Sequence, residues 1–276
     1  MGALFRLLSF LPLPLLHNLG ALLGWAAWLL SPTYRRHLRD NAALAGAGAA
    51  ASASVAEAGK SLLELPKIWL RPHDEVVERV VRVSGWELVE EARKLGRGIL
   101  FLTPHLGCFE ITAQYYASVG PITVLYRRPK QAWLAPLIES GRGANLRLAP
   151  ADMSGVRRLI KALRGGEAVG MLPDQAPGAG EGVWAPFFGR PAYTMTLAAR
   201  LAETGATVLL AYAERLHYGA GYHLKLFPLS RPLEGDLPAR VAQINAELEV
   251  LIRDCPEQYL WGYNRYKKPS GAPDPA

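Results

Sequence analysis

Cysteine is nearly absent from this chain. Cys108 and Cys255 are the two among 276 residues. They lie far apart and without metal-ligand spacing, which argues against a disulfide framework or a zinc site and suits a reducing compartment. Also missing are any Lys/Arg-rich block interleaved with aromatics and any RNP-type or zinc-finger motif. Lys and Arg number 31 against 24 Asp and Glu, for a net charge of +7 and a pI of about 9.5. With no nucleic-acid motif to use it, that balance points to a membrane surface, a phosphorylated substrate or an acidic protein instead. No internal repeat is visible.

Formal charge is missing altogether from Leu7 to Leu30. Wholly helical, this stretch would measure about 36 Å against a hydrocarbon core of about 30 Å. Pro12, Pro14, His17 and Asn18 make it a poor ideal span, so it either crosses once or lies as two half-buried pieces in one leaflet. A cleaved signal peptide is the rival reading. The following Tyr34-Arg-Arg-His-Leu-Arg39 is basic and should stay cytoplasmic. Trp25 and Trp28 suit an interfacial belt. The expected organisation is a membrane anchor over residues 1–32, a single domain over 33–268 and a disordered tail over 269–276.

What is abundant is apolar: half the residues are hydrophobic, enough for a sizeable core. Strand-like runs occur at Val76–Val83, Ile99–Thr103, Ile122–Tyr126, Ala168–Leu172, Thr207–Ala213 and Tyr222–Phe227. Helical segments occur at Ser61–Leu70, Trp86–Leu95, Thr112–Ser118, Trp133–Ser140, Val156–Leu163, Leu197–Glu203 and Ala239–Asp254. Ala42–Ala58, rich in Ala, Gly and Ser, reads as a helix or helix-loop. Such alternation predicts an α/β fold with a mixed, mostly parallel sheet flanked by helices. Pro173–Pro186 reads as a long loop, of a length more often functional than accidental.

The chemistry concentrates at strand ends. The run from Ile99 stops at Pro104, His105 follows at once, and Glu110 comes five residues later. On one unbroken helix these two would sit about 140° apart. They can meet only if His105 lies on a turn and Glu110 on the first turns of a following helix, and Pro104 and Gly107 supply that break. A base, a carboxylate to orient it and a helix N-terminus are the parts that deprotonate a hydroxyl and stabilise an oxyanion. Asp174 follows a second buried strand and Pro173 in the same way. Its alternative is a turn aspartate capping its own loop. Arg142, on a Gly-flanked loop, is a candidate phosphate or carboxylate clamp. Cys108 raises the option of a Cys–His acyl-enzyme. Trp184–Arg190 reads as an apolar loop tip that either contacts acyl chains or membrane or packs in the core. The aromatic and basic segment Pro256–Lys268 fits an anionic interface or a solvated tail.

Taken together, these segments resemble the lipid A biosynthesis acyltransferases, within the wider glycerophosphate acyltransferase-like superfamily. The resemblance runs through the apolar amino terminus, Arg35-Arg36 to Asn41, Gly85-Trp-Glu-Leu and Thr103-Pro-His-Leu-Gly-Cys-Phe-Glu110. It continues through Pro173-Asp-Gln175, Pro186-Phe-Phe-Gly189 and Pro256-Glu-Gln-Tyr-Leu-Trp261. It implies that His105 is the general base, Glu110 its partner, and Arg142 and Asp174 further residues needed for activity. It also implies acyl carrier protein as donor and partner, a Kdo-bearing lipid A precursor as acceptor, no metal or other cofactor, and a place on the cytoplasmic side of the inner membrane. Where the family often has His two residues after the terminal Trp, this chain has Tyr263, while Arg265 matches. Rival expectations are an acyltransferase of the same superfamily acting on a glycerophospholipid or aminolipid, and a non-catalytic lipid-binding protein on the same fold.

Overall fold

The computed structural model describes residues 2–275 except 130, 132 and 141–144; Arg142 lies outside the described residues. Within them the chain runs α1 Gly2–Phe10, α2 Leu13–Leu30, α3 Pro32–Leu44, α4 Ala51–Leu70, α5 His73–Val77, β1 Val80–Ser84, α6 Trp86–Lys94, β2 Ile99–Leu102, α7 Phe109–Ala117, β3 Ile122–Tyr126, α8 Leu134–Ser140 and β4 Leu146–Pro150. It continues as α9 Met153–Arg164, β5 Ala168–Met171, β6 Gly182–Phe187, β7 Arg190–Met195, α10 Leu197–Ala202, β8 Thr207–Arg215, β9 Tyr222–Pro228 and α11 Leu237–Asp254.

Seven strands form one sheet in the order β1-β9-β8-β2-β5-β3-β4. Neighbours pair in parallel except β8 with β9, so the sheet is mixed and mostly parallel. Every residue of β2 is buried, as expected of a central strand covered on both faces. Its side chains alternate between two cores. Leu100 and Leu102 join Leu159 of α9, Leu201 of α10 and Leu248 of α11, while Ile99 and Phe101 join Val89 of α6 and Ile111 of α7.

Three local readings change. Val76–Val83 is not one strand, because α5 occupies its first part and β1 begins at Val80. Leu146–Pro150 forms the edge strand β4, which its Arg147 and Pro150 disguised, as edge strands tolerate both. The loop after Pro173 ends at Gly182, where β6 begins. Trp184–Arg190 is therefore no loop tip but a hairpin whose two-residue turn, Phe188-Gly189, has φ of 48° and 75°. Phe187 and Phe188 are buried against Trp261, so these rings are core rather than membrane contacts.

At the amino terminus α1 and α2 break at Pro12, and α2 packs along α4 through glycines. A Cβ on Gly59 would stand 1.9 Å from the Gly20 carbonyl oxygen, and one on Gly24 2.1 Å from that of Val55. Such backbone approach admits no side chain. The opposite side of α2 exposes Leu15, Leu19, Leu22, Leu23 and Leu29. By length and composition α2 is able to cross a membrane. At the other end, residues expected as a disordered tail lie against β6: Trp184 Nε1 donates to the Pro273 carbonyl at 2.8 Å, and Ala272 is buried.

Candidate active site

The parallel register of β2 and β5 pairs Ile99 with Ala168 and Leu102 with Met171. Both strands then run into a proline, and the same offset carries His105 opposite Asp174. The Asp174 carboxylate accepts from the His105 main-chain N–H at 2.9 Å and from its Nδ1 at 2.8 Å. Burial would raise the Asp174 pKa, but the charge and hydrogen bonds of His105, with the charge of Arg265 beyond, outweigh it and hold the carboxyl below its ordinary range. An ionised Asp174 accepts the hydrogen bond of Nδ1–H and keeps the proton on that nitrogen, which leaves Nε2 as the acceptor nitrogen. The Gln175 side-chain amide donates to that Nε2 at 3.1 Å. The imidazole edge remains reachable, with 17% of the side chain exposed.

The carboxylate that fixes the tautomer is therefore Asp174. The local motif offers Glu110 for this role; the strand register, invisible in such a motif, puts Asp174 at Nδ1. Glu110 sits half-buried on the first turn of α7, as its spacing requires. Gly107 provides the break. Its φ is +59°, and a Cβ there would lie 2.0 Å from the Ala213 carbonyl oxygen. The main-chain N–H groups at this helix start are partly spent: that of Gly107 donates to the Gln258 carbonyl at 3.1 Å and that of Cys108 to the Ala213 carbonyl at 2.8 Å. Cys108 is buried, and burial together with nearby Glu64 pushes its thiol well above the usual range. A thiol so held is a poor nucleophile, which argues against the Cys–His acyl-enzyme.

The carboxyl-terminal segment clamps this loop. The Leu260 N–H donates to the His105 carbonyl at 3.1 Å. The Tyr263 hydroxyl accepts from the Ala176 N–H at 3.1 Å and so props the turn bearing Asp174 and Gln175. Asn41 Nδ2 donates to the carbonyls of Trp261 and Tyr263 at 2.7 and 2.9 Å. Arg265 is buried and donates to the Tyr193 carbonyl and Thr194 Oγ1. Arg265, Tyr263 and Trp261 of the aromatic and basic segment are therefore site scaffold, while Lys267 and Lys268 stay exposed.

Behind the loop lies a buried ionic cluster that local patterns did not reveal. Arg215 donates to Glu64 through Nε at 2.9 Å and Nη2 at 2.6 Å, and to Glu57 through Nη1 at 2.7 Å. The Tyr222 hydroxyl donates to Glu64 at 2.9 Å, and His17 of α2 meets the same carboxylate at 3.2 Å. Burial opposes ionisation of Glu64, but Arg215 overrides it and brings the carboxyl down to about 2. Gln258 exchanges two hydrogen bonds with the Arg215 main chain, and its carbonyl holds Gly107. His17, Glu57, Glu64, Arg215 and Gln258 have no spacing in common, so only their convergence in space identifies them.

Together the sheet, the two strand-end turns and the carboxylate-paired imidazole define an α/β protein with a His–Asp pair at the carboxyl ends of its central strands. Comparison with known proteins narrows the class: the family model for bacterial lipid A biosynthesis acyltransferases matches residues 1–268. The chain belongs to that family. Among its relatives is the lipid A biosynthesis lauroyltransferase of Escherichia coli strain K12, 30% identical over 220 residues, or 78% of this chain and 71% of that protein. The palmitoleoyltransferase of the same strain is 28% identical over 76% of this chain and 68% of its own. A lipid A biosynthesis acyltransferase of Haemophilus influenzae is 26% identical over 96% of this chain and 88% of its own.

Proposed function

We propose that the protein transfers a fatty acyl chain from acyl carrier protein to a hydroxyl of a Kdo-bearing lipid A precursor, at the cytoplasmic side of the inner membrane. His105 Nε2 takes the proton of a 3-hydroxyl on an acyl chain of the precursor. The alkoxide attacks the thioester carbonyl, and the tetrahedral adduct collapses with expulsion of the carrier thiolate. The imidazolium returns the proton to that sulfur, so His105 ends as it began. Asp174 holds the tautomer and stabilises the imidazolium. Gln175 occupies the position at Nε2 that the acceptor hydroxyl takes, and once displaced its amide is a donor for the oxyanion. Glu110 is a second carboxylate at the mouth, and Arg142 a support for substrate phosphate or for the loop itself. No metal enters the scheme, so turnover should survive a chelator.

The observation that carries this reading is the pairing of His105 Nδ1 with an ionised Asp174, which leaves Nε2 as a base. The basic surface suits both an acidic carrier protein and a phosphorylated sugar lipid. α1 and α2 support the membrane seat. Because α2 is locked along α4, crossing a bilayer would drag Glu57, Lys60 and Glu64 with it, which hydrocarbon opposes. The two helices therefore lie in one leaflet with their leucines inward, as the anchor of the domain that follows.

The test is turnover by the full chain with an acyl carrier protein thioester and the Kdo-bearing precursor, read by mass spectrometry. The expected product is heavier by one acyl chain. Acylation of a glycerophospholipid instead, with the precursor untouched, would overturn the acceptor. Lipid A from cells with and without the chain should differ by the same mass.

A further inference from the structure

A cavity of about 360 Å³ opens at the break between α1 and α2, beside the β1 edge of the sheet. Phe10, Pro12 and Leu13 form one wall; Lys67, Arg71 and Arg79 form another. Glu75 is the one carboxylate among the described lining residues, and it is engaged by Arg71 through two hydrogen bonds of 3.0 and 2.8 Å. The Arg71 guanidinium also lies over the Phe10 ring at 4.6 Å. Lys67 is buried and donates to the Ser9 carbonyl at 2.9 Å. Burial, then the charges of Arg79 and Arg71, push its pKa down. Three cations thus converge on one engaged carboxylate, and an anion in the cavity would relieve their repulsion.

The apolar wall continues outward. Leu7 and Phe10 of α1 are 65% and 68% exposed, and Leu15, Leu22 and Leu29 of α2 are exposed as well. A cationic floor meeting a leucine surface matches a lipid, whose phosphate and chains are joined in the same way. We propose that this cavity binds the phosphate of a membrane lipid whose acyl chains run along α1 and α2. The proposal rests on the seating of those helices in one leaflet and does not depend on the acyl transfer itself. Two sources carry the same chemistry: a phospholipid of the bilayer and the phosphorylated acceptor.

The experiment uses the full chain and the exposed Arg79, whose substitution to Gln leaves the packing intact. Flotation is measured with vesicles of phosphatidylcholine alone and with phosphatidylglycerol added. Arg79→Gln should weaken binding to the anionic vesicles about fivefold, about 1 kcal/mol, and leave binding to the neutral ones unchanged. Arg79→Lys should restore it. Arg158→Gln, on α9 at the far edge of the sheet, should have no effect. In a second arm, in neutral detergent, a KM for the phosphorylated acceptor raised at constant kcat by Arg79→Gln assigns the cavity to the acceptor. Loss of vesicle binding alone assigns it to bilayer phospholipid. If both arms are unmoved by Arg79→Gln and by Lys67→Met in folded protein, or if Arg158→Gln weakens binding equally, the proposal fails. An enzyme inactive toward every acceptor still reports through the vesicle arm, so failure of the catalytic reading is seen separately.

Discussion

Nδ1 of His105 meets a carboxylate from the neighbouring strand end, and in the proposed reaction the two side chains work as one unit. His105→Ala should lower kcat at least about a hundredfold. Asp174→Asn should cost nearly as much, because the amide cannot hold the proton at Nδ1 with the same charge, and the double variant little more. Cys108→Ala should keep most activity, since its thiol is buried and stays protonated. An inactive Cys108→Ala beside an active His105→Ala would restore the acyl-enzyme. Tyr263 offers a finer test. Tyr263→Phe strands the Ala176 N–H, at a cost of about 1–3 kcal/mol if no water replaces the hydroxyl. The melting temperature should fall, and kcat should drop more than KM rises as the turn carrying Asp174 and Gln175 loosens.

Among the elements, the contact of α2 with α4 is the most demanding. Gly59 and Gly20 touch backbone to backbone, and this contact, with the His17–Glu64 bond, fastens the apolar helix to the domain. Gly59→Ala should force the helices apart and cost about 1–3 kcal/mol, seen as a lower melting temperature and faster proteolysis near residues 30–50. Gly48→Ala, where nothing lies within 4 Å, should be neutral. If both variants melt alike, the close crossing is not what secures α2. The β6–β7 hairpin is held in a comparable way. Asn245 of α11 donates to the Pro186 carbonyl and Glu249 accepts from the Phe188 N–H, so the turn belongs to the core.

At the scale of the molecule, the Glu64–Arg215 cluster links α2, α4, β8, β9 and the carboxyl-terminal clamp. Its effect on stability has a definite sign. The folded pKa of Glu64 is depressed to about 2 from an ordinary 4.5, so its contribution is complete above the ordinary range and is lost as pH falls from there toward about 2. Asp174, also depressed, acts in the same direction. Glu64→Gln should cost about 3–5 kcal/mol at neutral pH, because it leaves Arg215 under-compensated, and its stability should change less steeply over that acid window. Denaturant melts at several pH values would show this. Parallel curves for variant and parent would mean that Glu64 titrates normally.

The linear chain already determined the strand–helix alternation, the uncharged amino terminus, and the two proline-ended strands that carry His105 and Asp174. Each of these rests on local physics: burial periodicity, the absence of charge, or the conformational limits of proline and glycine. What tertiary structure alone decided is which carboxylate pairs with His105 Nδ1. Spacing favoured Glu110 because it is near in sequence, whereas a parallel register brings Asp174, 69 residues away, to 2.8 Å. The same holds for the rings of Phe187, Phe188 and Trp261, whose composition fits a membrane surface as well as a core until α11 covers them. It holds again for the ionic cluster, in which β8 brings Arg215 to Glu57 and Glu64 of α4 and a glycine crossing lets α2 add His17. Local sequence dictates conformation over a few residues; partners brought together by sheet register and helix packing are set by the whole chain at once.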